Sequence, residues 1–330
     1  MDLVASYRAI RTETSHALTP GGDCGPPTQP GLTSARATLE PVRQAIPLAA
    51  LTIALAGCGG GEATTPTAAT PTATATRSPA PAADRAPDTS TPRGIARALT
   101  AAHTQTARAV DAWRASGDTD RGDAPASVQR PARDAQALYR RLATRPRLAA
   151  RTLRRIDDAA TRAEARDVLA AQRALHVLNA PQRTAKAQRA VRLQRAEPAA
   201  DLLAHYREGA RRSGVPWSLL AAVNLVESHF GRLRNDSIAG AQGPMQFIPA
   251  TWASYGRGGD VHDPRDAILG AARFLAAGDA ATDPRQALYR YNPSLLYVTA
   301  VSRYAHRIAV DPRAFYAFYA WEVPVTRKRG

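Results

Sequence analysis

Aromatic residues are scarce in this 330-residue chain, at 6%, and there are only two cysteines, Cys24 and Cys58. Both cysteines sit in loop-like sequence, so a disulfide between them would have no core to staple, and a disulfide-built scaffold is excluded. No useful length of sequence alternates apolar and polar residues, which leaves nothing to build a sheet from. The apolar run at residues 46–57 falls well short of the roughly 20 residues that a membrane-spanning helix needs. No Ser/His/Asp triad wording, phosphate-binding loop or zinc-ligand spacing is present. No internal repeat of fixed period stands out. What remains is an Ala- and Arg-rich chain with room for two modest domains.

Charge is abundant and uneven. The net charge is +16. Residues 1–94 carry seven Arg and seven acids, residues 95–195 carry 21 Lys/Arg against 9 acids, and residues 196–330 carry 16 against 12. The basic excess therefore belongs to the middle segment. It favours anionic partners such as nucleic acid, anionic lipid or anionic wall polymers. Arg on solvated helix faces that keep an Ala-rich chain soluble explains the same excess.

The N-terminal third reads as export machinery and a tether. Residues 46–57 follow Arg43 and have the length of a signal-peptide core. Leu55-Ala56-Gly57-Cys58 matches the bacterial lipobox, in which the cysteine becomes the acylated N-terminus. Residues 1–41 precede this signal without apolar periodicity, which points to a true start near Val42 and to residues 1–41 being untranslated or unstructured. Residues 42–57 are then the signal peptide. Residues 58–90, rich in Gly, Ala, Thr, Pro and Ser, bury too little apolar surface to offset their ordering cost and read as a disordered linker. Extended like polyproline, such a linker reaches on the order of 100 Å.

Helical punctuation dominates the rest. Thr91 before Pro92 is an N-cap signal, and Ile95, Leu99, Ala102, Thr106, Val110 and Trp113 form one stripe. Residues 117–127 read as a loop. Residues 131–179 carry further helical patterning with breaks at Pro146 and Pro181. Residues 91–195 are thus expected to form a basic bundle of three or four helices, with residues 180–196 linking onward. In residues 196–330, Pro198 and Pro216 open helices, and Gly214 closes the first of them. Asp263-Pro264-Arg265-Asp266 and Asp283-Pro284-Arg285-Gln286 are N-cap signals, and Asp311-Pro312 starts another helix. The fold class is all-α.

One carboxylate stands out. Glu227 ends the apolar run Leu219-Leu220-Ala221-Ala222-Val223-Asn224-Leu225-Val226. Desolvation at the end of an apolar helix disfavours the charged form and raises the pKa. A carboxylic acid that keeps its proton near neutrality can protonate a leaving oxygen. Gly240-Ala241-Gln242-Gly243-Pro244-Met245-Gln246-Phe247-Ile248-Pro249-Ala250-Thr251-Trp252 follows. Its glycines permit close approach of a sugar, and Gln246 offers a donor and an acceptor to acetamido and hydroxyl groups.

Glu227-Ser228, then Gly240–Phe247, then Tyr291-Asn292 resemble, in order and spacing, the three signature blocks of the lytic murein transglycosylases. The wording around residues 243–252 resembles the membrane-bound B type and its lipoprotein relatives more than the soluble type. The resemblance covers roughly residues 197–310. It implies a lysozyme-like catalytic domain that cleaves the MurNAc–GlcNAc β-1,4 bond of peptidoglycan and forms 1,6-anhydro-MurNAc. Glu227 would act first as acid and then as base, without a cofactor or metal. It further implies substrate contacts from Ser228, Gly243, Gln246, Asn292 and Tyr291, with a Tyr hydroxyl of the third block near the acid. Met245 and Phe247 suit either the cleft or the core, and Tyr255, Tyr289 and Tyr297 read as packing or cleft walls. Pro293-Ser294 depart from the family's pattern. Lipidation at Cys58 would place the enzyme on the outer face of the bacterial cytoplasmic membrane, facing the wall, with peptidoglycan strands and no nucleic acid as its partners.

Competing readings are a muramidase using water and a second carboxylate (Asp236 or Asp260), a non-catalytic wall-binding lipoprotein, and a nucleic-acid binder. Asp263 is better explained as a cap than as that carboxylate. Residues 259–263 have ligand-type side chains, yet a loop feeding a capped helix explains them more simply than a metal does.

Overall fold

The computed structural model describes residues 88–180, 191–237 and 239–323. Cys24, Cys58, the lipobox, residues 1–57, the linker up to residue 87 and Pro181 lie outside the described residues. Among the described residues there are eleven α-helices, and the β pairing is limited to two isolated bridges, Leu193 with Leu233 and Gln242 with Phe247.

Four helices come before residue 180: α1 (Pro92–Ser116), α2 (Ala126–Ala143), α3 (Pro146–Leu153) and α4 (Ala159–Leu178). Thr91 caps α1 by accepting the Gly94 N–H, as its position before Pro92 predicts. The expected loop at residues 117–127 holds a short 3-10 turn, and α2 begins earlier than Pro131 and contains it. The helical pattern expected to run on past Pro146 breaks at residues 154–158. There Asp158 accepts the Thr161 N–H and starts α4, so a local side-chain cap overrides a nearly continuous apolar stripe.

The second group is α5 (Ala199–Ser213), α6 (Trp217–Ser228), α7 (Pro249–Tyr255), α8 (Pro264–Ala276), α9 (Pro284–Tyr291), α10 (Leu295–Val310) and α11 (Arg313–Tyr319). Pro198 and Pro216 stand immediately before their helices, and Gly214 closes α5 in the left-handed conformation. Asp263 and Asp283 accept the N–H three residues on, and Asp311 accepts the Arg313 N–H.

Helix α6 is apolar all round, and every residue from Ser218 to Ser228 is buried. A helix of that composition belongs at the centre of a packed domain. It lies against α5 and α10. Each fully buried Leu or Val on it contributes about 1.5–3 kcal/mol relative to exposure.

The Ala/Arg-rich bundle is fused to the second group. One apolar core runs from Ile95 to Trp321 without a break at residue 195. Helix α4 lies along α10 in the most extensive helix pairing among the described residues, and α11 packs on α1. Polar ties reinforce this seam: Gln172 donates to the Tyr304 hydroxyl at 2.9 Å, and Asp167 pairs with Arg303 and His306 at 2.8 Å each.

Candidate active site

Glu227 occupies the last turn of α6 and is only 4% exposed. Its Oε1 accepts a 2.6 Å hydrogen bond from the Tyr297 hydroxyl on α10. Its Oε2 is buried without a hydrogen-bond partner. Burial pushes the Glu227 pKa from 4.5 up to about 8, against the opposing pull of the Tyr297 bond. Burial therefore favours the neutral, protonated carboxyl near neutral pH. Because Oε1 accepts from Tyr297, the proton belongs on Oε2, the oxygen with nothing beside it to receive that proton.

The loop after α6 is held in place by a buried polar relay. Tyr206 on α5 donates to Asn224 Oδ1 at 2.6 Å, and Asn224 Nδ2 donates to the Pro244 carbonyl at 2.8 Å. Ser228 donates to the same carbonyl at 2.5 Å and accepts the Gly231 N–H at 2.8 Å. Ser228 is fully buried. The structure thus gives Ser228 a different role from the expected substrate contact: its hydroxyl is spent on tying the loop to the helix that carries the acid. Asn224, which the sequence shows only as a polar interruption of an apolar run, does the same from one turn earlier.

Residues 242–247 close on themselves. Gln242 and Phe247 exchange both backbone hydrogen bonds. Gly243 has a φ of +71°, and a Cβ there would lie 1.9 Å from the Val261 carbonyl oxygen. Glycine is required on both counts. Gln246 also has a positive φ, 51°. Its Nε2 donates to the Gly243 carbonyl at 2.9 Å, which leaves Oε1 without a protein partner among the described residues. Met245 and Phe247, left open between core and cleft, are core: both are buried, and Phe247 packs on Trp252 and Tyr291.

The third block needs one correction. Tyr291 does not reach the acid, because its hydroxyl donates to the Met245 carbonyl at 2.6 Å. The tyrosine at the acid is Tyr297, whose ring lies parallel to that of Tyr291, with centroids 6.3 Å apart. Tyr297 is fully buried. Its sequence signal was weak: it falls on the buried stripe of α10 with Val301, Tyr304 and Ile308, where a tyrosine reads as packing. Asn292 is 4% exposed, and its Nδ2 is buried without a partner. Among the other tyrosines singled out, Tyr255 packs edge-on against Phe274, and Tyr289 is exposed.

Elsewhere, Asp263 caps α8, and the Asp260 side chain accepts the His262 N–H. Among the described residues no group of three or more His, Cys, Asp or Glu has the arrangement of a metal site.

A desolvated carboxyl at the end of a buried helix, with a glycine-rich loop fastened to that helix, is chemically able to give up a proton. Residues 205–306 match the family model of the Transglycosylase SLT domain, and this match contains Glu227, the loop and Tyr297. Over 123 residues the chain is 32% identical to the membrane-bound lytic murein transglycosylase F of Thiobacillus denitrificans, a match covering 35% of this chain and 26% of that protein. The chain thus spans about a quarter of the length of that relative. No solved structure matches the chain. The described residues include no helix long and apolar enough to cross a membrane.

Proposed function

We propose that this chain is a peptidoglycan lytic transglycosylase that cleaves the MurNAc–GlcNAc β-1,4 bond with Glu227 as acid and then base. The observation that carries the reading is the buried Oε2 of Glu227, a proton donor with no protein acceptor beside it. A glycosidic oxygen entering there would receive the proton as its bond to C1 of the muramic acid breaks. Glu227, now a carboxylate stabilised by Tyr297, then takes the proton of the C6 hydroxyl while that oxygen bonds to C1. The product is the 1,6-anhydro sugar, water is not consumed, and the acid is restored. Asn292 Nδ2 and Gln246 Oε1 offer a donor and an acceptor to the acetamido and hydroxyl groups of the sugars. The transglycosylase domain match and the lytic transglycosylase relative support the substrate class.

The lipobox ending at Cys58 supports an enzyme anchored by lipid and facing the wall, within linker reach of its substrate. Radiolabelled palmitate incorporated by the native chain and lost in Cys58→Ala tests that placement. For the chemistry, purified peptidoglycan is digested and the products are weighed. Products lighter by one water than reducing muropeptides are expected, and none from Glu227→Gln. Reducing-end products would make the enzyme a muramidase, and no products from a folded chain would leave a wall-binding lipoprotein.

A further inference from the structure

A cavity of about 610 Å³, whose lining does not include Glu227, lies where α2 and residues 319–323 meet the segment after α6. Three guanidinium groups line it, from Arg133, Arg140 and Arg232, against two carboxylates, Asp123 and Glu322. Two of the arginines are committed. Arg232 pairs with Asp123 at 3.4 Å and lies 4.4 Å above the Tyr319 ring. Arg133 pairs with Glu322 at 3.1 Å. Arg140 has no hydrogen bond or ion pair among the described residues.

A half-buried guanidinium without a partner is costly. Burial pulls the Arg140 pKa below its ordinary value, although the Glu322 charge offsets part of that effect. The nearby His229 imidazole adds no further positive charge, because burial and the fields of Arg232 and Arg140 hold it uncharged. The cavity therefore offers one spare positive charge in a partly dry setting. Its size is within the range of small-ligand sites, roughly 300–1,000 Å³.

We propose that this cavity is a second binding site that takes the free carboxylate of a short peptide on the Arg140 guanidinium. The planar fork of Arg matches a carboxylate with two parallel hydrogen bonds. The paired Asp123 and Glu322 leave only one net charge to satisfy, which fits a single carboxylate better than a doubly charged phosphate. Tyr319 backs the cavity beneath Arg232, whose guanidinium covers its ring. Naming that peptide as the peptide attached to the wall glycan rests on the proposed function. The cavity also touches the catalytic segment: Arg232 reaches the His229 carbonyl at 3.4 Å, two residues beyond Glu227.

The test is titration calorimetry on the full chain with a free wall-type tetrapeptide ending in D-alanine. Its C-terminal amide and inorganic phosphate serve as controls. The free peptide contains no glycosidic bond, so the readout is independent of cleavage, and repeating it in Glu227→Gln separates failure of the catalytic reading from failure of this one. The expected result is binding of the acid peptide, at least about tenfold weaker binding of the amide, and a similar loss in Arg140→Gln. Arg140→Lys, which keeps the charge and loses the fork, is expected to fall between and guards against a folding defect in the first variant. No binding of the acid peptide, equal binding of acid and amide, wild-type affinity in Arg140→Gln, or a preference for phosphate would each overturn the proposal.

Discussion

Replacing Tyr297 by phenylalanine removes one oxygen from the core and one hydrogen bond from the acid. The ring remains, and with it the parallel contact to Tyr291. The lost bond is 2.6 Å long and buried. It favours the carboxylate over the acid, and it is what opposes the effect of burial on Glu227. A buried hydrogen bond contributes about 1.5–3 kcal/mol when its acceptor is charged and about 0.5–1.5 kcal/mol when it is neutral. The difference, roughly 1.5 kcal/mol, is about one pKa unit. Glu227 in Tyr297→Phe should therefore titrate about one unit above its value of about 8 in the wild type. The proton donor is the protonated form, so activity is lost as pH rises through that pKa, and the alkaline limb should move upward in the variant. The maximal rate should fall, because the carboxylate formed after proton transfer loses its donor. The assay is release of soluble muropeptides from purified peptidoglycan across about pH 5 to 10 at constant ionic strength. An alkaline limb that stays put or moves downward would refute the assignment of Tyr297 and the burial argument with it.

Glu227→Gln should abolish product release while raising stability at high pH. Between the unfolded carboxylate pKa of about 4.3 and the folded value of about 8, the native state binds more protons than the unfolded chain, so wild-type stability falls across that window and levels off above it. Thermal melts should show little difference near pH 4 and a variant more stable by several kcal/mol near pH 9; parallel pH curves would count against a neutral acid. Gly243→Ala combines a left-handed backbone with a Cβ that meets the Val261 carbonyl, and should cost at least about 2 kcal/mol in urea unfolding together with most of the activity. A fragment beginning at residue 196 strips α4 from α10 and loses the bonds from Gln172 and Asp167. It should bind a hydrophobic dye and melt without cooperativity, and a sharp transition from that fragment would show that the C-terminal helices stand alone.

Local signals in the sequence survive into the structure, and relations between distant segments are what it conceals. Thr91, Asp263 and Asp283 each bond to an N–H three residues away, so their roles as caps follow from a short stretch of chain. The burial of Glu227 is legible for the same reason, since the eight residues before it, 219–226, are apolar but for Asn224. Tyr297 sits 70 residues from its partner. Its role depends on how α10 is rotated against α6, which no periodicity in α10 specifies. Ser228 is misleading in the opposite sense. A serine beside an acid suggests substrate contact, yet its hydroxyl turns inward because the Pro244 carbonyl and the Gly231 N–H both need a buried partner. The fusion of the basic helices to the rest is hidden because their stripes of Ala do not show which neighbour they face.

That fusion bears on the chemistry. An acid with a pKa near 8 requires a dry site, and a dry site requires that α6 and α10 not part to admit water. Helix α10 carries the Tyr297 donor and packs against both α6 and α4. On the α4 side it is fastened by Asp167, which holds Arg303 and His306, and by Gln172 on Tyr304. Asp167→Ala would leave Arg303 without its 2.8 Å partner and loosen α10 at a distance from the acid. Water reaching Glu227 would lower its pKa toward that of an ordinary carboxylate. The alkaline limb of activity should then shift downward, opposite to the shift expected for Tyr297→Phe. Opposite shifts from one variant at the acid and another on the far seam would establish that the N-terminal helices act on catalysis by keeping the site dry. A shift confined to Tyr297→Phe would reduce those helices to a structural support with no influence on proton transfer.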